Sequence, residues 1–124
     1  MIMFNKHTEI RVETLICEEL RTAKEQHGEK FNGLHEAYAV ALEELEEASV
    51  DFENVKAAFS YFWEDITASD DPTNDLIDAK HYTVEAIKEL AQFAAMIDKT
   101  LETLEKRKEA GTEKISVVQK GDKK

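Results

Sequence analysis

Proline occurs once and glycine four times in 124 residues, too few for the frequent tight turns of a β-sandwich or barrel. Cysteine also occurs once. No intrachain disulfide can form, and one thiol supplies no zinc constellation. Cys17 is expected to pack in a helix seam. No apolar run approaches the ~20 residues of a membrane-spanning helix, and no apolar segment follows the opening Met-Ile-Met-Phe as a secretory signal requires. The expected compartment is therefore a reducing cytoplasm. Positive charge is scarce too: 16 basic against 27 acidic side chains leave a net charge of -11. Direct nucleic-acid binding is not expected, because phosphate contacts need clustered Lys and Arg. No glycine-rich phosphate loop exists, so motor ATPase and hydride-transfer chemistry are not leading readings. The histidines share no metal-ligand spacing, which argues against zinc.

What remains is a chain 42% hydrophobic and 35% charged, rich in the Glu, Lys, Ala and Leu that favour long helices. One all-α domain over residues 1–110 is expected, followed by a flexible polar tail over 111–124. The first helix spans about residues 8–27, with Thr8 as N-cap and Gly28 just past its end. The second spans 34–68, where Tyr38, Leu42, Leu45, Ala48, Phe52, Val55, Phe59, Phe62 and Ile66 repeat at spacings of three and four. Ser69 to Asp75 breaks the pattern, with Thr73 or Asn74 as the next cap. The third spans 75–110, with Thr83, Ile87, Leu90, Ala94, Ile97, Leu101 and Leu104 as its apolar seam and Gly111 as its stop. These three long helices should form an antiparallel bundle. A 35-residue helix is ~50 Å long, whereas a compact globule of this size is only ~35 Å across. The stretch from Leu90 to Ile97 is apolar on nearly every face, which calls for burial all round. Self-association into a homodimer or homotetramer through that stretch is therefore expected.

Between Glu36 and Asp51 lie six acids and no base. Glu44 and Glu47, three residues apart, stack on one helix face and repel by a few tenths of a kcal/mol. A hard divalent cation would remove that cost; a solvated acidic face is the plainer alternative. Ala37, Ala41 and Ala48 lie on Glu44's side and admit a close second helix. Glu85, Glu89 and Gln92 form a polar stripe on the third helix. If the two stripes face each other, oxygen ligands converge between helices, as in bundle metal sites. His35 reads as a helix-start residue or, with Lys30 in the preceding connection, as a substrate phosphate contact. Phe59, Tyr61, Phe62 and Trp63 read as core and interface, or as a base-stacking wall.

The run from His35 to Ala48, with Glu43-Glu44-x-x-Glu47, followed by Glu89-Leu90-Ala91-Gln92, resembles the MazG-like nucleotide pyrophosphohydrolases, especially small bacteriophage-type members. That all-helical family carries E-E-x-x-E and E-x-x-D motifs and cleaves nucleoside triphosphates to monophosphate and pyrophosphate. The resemblance implies Mg²⁺ or Mn²⁺ as cofactor, with Glu44, Glu47 and Glu89 as ligands and Gln92 standing at the family's Asp position. Glu85, one turn earlier, is a replacement carboxylate. Glu43 or Glu46 is the candidate catalytic base, and a nucleoside triphosphate the expected partner. Two other readings stay open: a relative that binds without turnover, and an acidic helical interaction protein.

Overall fold

The computed structural model describes residues 5–122, with side chains for residues 5–110. Three helices follow in order: α1 (Lys6–His27), α2 (Leu34–Ala68) and α3 (Thr73–Asp122). The described residues contain no strand, and none of the helices is long and apolar enough to cross a membrane. The fold is the expected all-α arrangement.

Local chemistry sets the helix ends. The N-cap of α1 is Asn5, not Thr8: its Oδ1 accepts from the Thr8 backbone N–H at 2.9 Å, closing one of the free donors of the first turn. At the other end Gly28 takes φ 97° and donates its N–H to the Lys24 carbonyl at 2.9 Å, a conformation open to glycine at little cost. The bounds of α2 are those expected. Its last carbonyls are closed by the N–H groups of Ser69, at φ 59°, and Asp70. Ahead of α3 the cap is Asp71, not Thr73 or Asn74. Asp71 Oδ1 accepts from the Thr73 N–H at 3.0 Å and from its hydroxyl at 2.5 Å. These two bonds hold the Asp71 carboxyl below its ordinary range. At the far end α3 runs past Gly111 to Asp122. One glycine costs about 1 kcal/mol within a helix and does not by itself end one. The side chains of the expected tail lie outside the described residues.

The short turn between α2 and α3 makes them an antiparallel hairpin. Its contact line is built mainly from alanine: Ala37, Ala41, Ala48 and Ala58 are buried on α2, and Ala86, Ala91 and Ala95 on α3. Small side chains let two backbones approach closely, and close approach is what brings side chains at the edges of the line into one site. α1 packs against α3 beside this line, through half-buried Ile16, Leu20 and Ala23 around Phe31, Ala95 and Met96. Lys24 Nζ reaches Glu102 Oε1 at 2.5 Å, and this hydrogen bond is the main cause of the raised Lys24 pKa. The connection after α1 folds inward, its Phe31 N–H donating to Thr103 Oγ1 at 3.2 Å. The Phe31 side chain is buried as a result.

Of the expected apolar seams, Ala48 is buried in the alanine line, and Leu42, Val55, Phe62 and Ala94 are half-buried. Leu45, Phe52, Phe59 and Ile66 on α2 are exposed in the single chain, as are Leu90, Ile97, Leu101 and Leu104 on α3. Periodicity groups residues on a face, but the narrower alanine face permits the closer helix contact, and that face won. Phe59, Tyr61 and Trp63 are likewise exposed, with Phe62 half-buried, so these aromatics are not core. Cys17 is exposed rather than packed in a seam. The 35 residues of α2 make a helix about 50 Å long, longer than the ~35 Å across a compact globule of this size.

Candidate metal centre

Glu44 and Glu47 stand one turn apart on α2. Glu44 is half-buried at the edge of the alanine line, and Glu47 is exposed beside it. From α3, half-buried Glu89 meets them, and one carboxylate oxygen from each of the three lies within 4.8 Å of the others. Opposite ligands around an octahedral Mg²⁺ are about 4.2 Å apart, twice a bond of about 2.1 Å. Small side-chain rotations therefore bring the trio to ligand spacing.

Gln92, one turn along from Glu89, completes the cluster. In the amide orientation that suits its neighbours, its nitrogen donates to Glu44 Oε2 at 2.9 Å and to Glu89 Oε2 at 3.1 Å. It thus acts as a donor stitching two acids together, where the sequence reading had it as an oxygen ligand. Presenting its carbonyl to a cation requires the amide to turn over. Glu85 is not drawn in: its carboxylate pairs with Lys88 at 3.3 Å.

The electrostatic signature is that of carboxylates competing for protons. Burial is the largest cause raising the Glu44 pKa, aided by the charges of Glu47, Glu43 and Glu19 and opposed by its hydrogen bond with Glu89. Glu47 is raised first by hydrogen bonding with Glu89, then by desolvation and by the Glu89 and Asp51 charges. Glu89 is raised mainly by burial, with the charges of Glu44 and Asp51 adding to it and hydrogen bonding with Glu47 opposing it. Withdrawal from water and the neighbouring negative charges favour the protonated forms, and hydrogen bonds between the acids offset part of this at Glu44 and Glu89.

Beside the trio a pocket of about 690 Å³ opens between all three helices, within the ~300–1,000 Å³ usual for small-molecule sites. Glu44 and Gln92 lie on its wall toward the trio, and Glu43 also lines it. Glu46 does not; with Glu43 and Glu47 it borders a second depression. His35 and Lys30 are exposed and line neither space.

Only Glu43, Glu44 and Gln92 of the pocket lining were candidates in the sequence, and Phe31, Met96 and Lys99 are the most informative of the others. Phe31 and Met96 form an apolar wall. Lys99 is 2% exposed, with its Nζ 4.3 Å from the Phe31 ring centroid. A cation over an aromatic face gains about 2 kcal/mol when desolvated, less than burial of an ammonium costs. The signal for Lys99 was its phase: it falls four residues after Ala95 and four before Thr103, on a buried stripe. The chain matches no protein-family description, curated protein or solved structure in the three comparisons made.

Proposed function

We propose that the chain binds Mg²⁺ or Mn²⁺ through Glu44, Glu47 and Glu89 and cleaves nucleoside triphosphates to monophosphate and pyrophosphate, as its resemblance to the MazG-like pyrophosphohydrolases implies. The observation that carries this reading is the convergence of three carboxylates from two helices, within 4.8 Å of one another, with Glu44 on the wall of a pocket large enough for a mononucleotide. Bound there, the cation supplies Lewis acidity toward phosphate oxygens. Glu44, partly withdrawn from water, orients the site from the pocket wall. Glu47 closes the outer side. Gln92 holds Glu44 and Glu89 at a common spacing. Glu43, which lines the pocket as well as the second depression, is better placed to accept the proton of an attacking water than Glu46, which lines the depression alone.

Binding without turnover is a second reading, and the donor role of Gln92 favours it. The neutral amide leaves the site one negative charge short of the four carboxylates in the family motifs. Pyrophosphate release from a panel of NTPs and dNTPs with Mg²⁺ or Mn²⁺ tests both. Release abolished by Glu47→Gln supports hydrolysis. Nucleotide binding with no release from any member of the panel overturns it in favour of the second reading.

The same reading includes a homodimer or homotetramer. Its support is the exposed apolar rows of α2 and α3, which by helical phase lie on the flank of the hairpin away from Glu47 and Gln92. Assembly through that flank leaves the pocket open. The free thiol of Cys17 suits a reducing cytoplasm.

A further inference from the structure

Among the described residues Lys99 is the one lysine or arginine lining the pocket beside the trio. It is 2% exposed, and its ammonium makes no hydrogen bond or ion pair there; only the Phe31 ring lies against it. No fully sealed side-chain nitrogen lacks a partner, so the Nζ keeps contact with the pocket space. A buried ammonium with no ion-pair partner is unfavourable, and its N–H donors suit an anionic ligand in the pocket. Lys99 lies two turns beyond Gln92 on α3, about 10 Å along the axis. Helical side chains lean toward the N-terminus, which carries the ammonium back toward the trio. Glu19, Glu36, Glu43 and Glu44 also line the pocket, none of them ion-paired with Lys99, so a ligand with several linked anionic groups would meet Lys99 as the one lysine or arginine there.

We propose that Lys99 is an anion-binding residue that pairs with a phosphate oxygen of a polyphosphorylated ligand whose neighbouring phosphates lie at the carboxylate trio. This rests on the pocket being a phosphoryl-ligand site, as in the functional reading above. It adds a residue with no counterpart in the two acidic motifs that carry the resemblance. Inorganic tripolyphosphate and a nucleoside triphosphate present the same chemistry to Lys99. They differ in whether the Phe31 and Met96 wall is also used.

The test is calorimetric titration of inorganic tripolyphosphate, and of α,β-imido deoxynucleoside triphosphates with Mg²⁺, into the wild-type chain, Lys99→Met and Lys99→Arg. Lys99→Met should weaken binding at least tenfold while melting at or above the wild-type temperature, since a buried cation is replaced by an apolar chain of similar length. Lys99→Arg should retain most of the affinity. Unchanged affinity in Lys99→Met, or no binding of either probe by wild type, overturns the proposal. Should Lys99→Met not fold, the Nζ resonances of the wild-type chain decide. A buried lysine Nζ that shifts with tripolyphosphate supports the assignment, and no shift overturns it. Failure of the metal reading is separable. If Mn²⁺ does not raise the melting temperature but tripolyphosphate in EDTA still binds more weakly to Lys99→Met, the trio is not a metal site and Lys99 stands.

Discussion

Glu44, Glu47 and Glu89 are individually unremarkable surface acids, and their meaning lies in their mutual distance. All three hold protons more tightly in the folded chain than in the unfolded one. A carboxyl raised on folding stabilises the protonated fold, so stability falls as pH rises from the unfolded value of about 4.3 through the raised folded range. In EDTA the wild-type chain should lose more thermal stability than Glu47→Gln as pH rises above the unfolded value of about 4.3 and these raised acids ionise. The variant should also gain a few tenths of a kcal/mol at neutral pH from relieved repulsion. Parallel melting profiles would show that the acids do not interact. The trio was legible in the sequence because three-residue spacing fixes a helix face. Lys99 was not, because a lysine in a charged helix reads as solvent-facing until its phase is matched to the buried stripe. His35 and Lys30 line neither the pocket nor the depression: chain proximity to the motif does not bring them to the pocket, and His35 sits in the first turn of α2 as a helix-start residue.

Helix α2 shows how far periodicity reaches. Its span followed from the long three-four repeat and the break at Ser69 to Asp75, and the structure repeats it at Leu34–Ala68. Which face of α2 would meet α3 did not follow. The bulky row advertises itself, but alanines permit the closer backbone approach, and the large side chains are left outward in the single chain. Those exposed rows give the element its own expected behaviour. Leu90, 50% exposed, is the better probe of assembly than Phe93, which packs against the core. Leu90→Glu should shift sedimentation at micromolar concentration from an oligomer to a 14.2 kDa species, since a charge cannot enter an apolar contact without losing its water. A wild-type chain already monomeric at that concentration would contradict assembly through this flank.

Across the whole molecule, the hairpin separates two surfaces with different chemistry. One flank carries the bulky apolar rows, and the other carries the acids, with α1 folded beside them to close the pocket. Net negative charge works against the compact state through self-repulsion, and a cation at the trio would offset part of that repulsion. The most direct test of the metal centre is therefore a property of the whole fold, its melting temperature with and without Mn²⁺. At a hundredfold excess over Kd, binding to the native state adds about 2.7 kcal/mol. At roughly 4 °C per kcal/mol for a domain of this size, that is a rise of roughly 10 °C. The expected result is that rise in the wild-type chain and its loss in Glu47→Gln; a melting temperature that Mn²⁺ leaves unchanged in the wild type would contradict the metal centre.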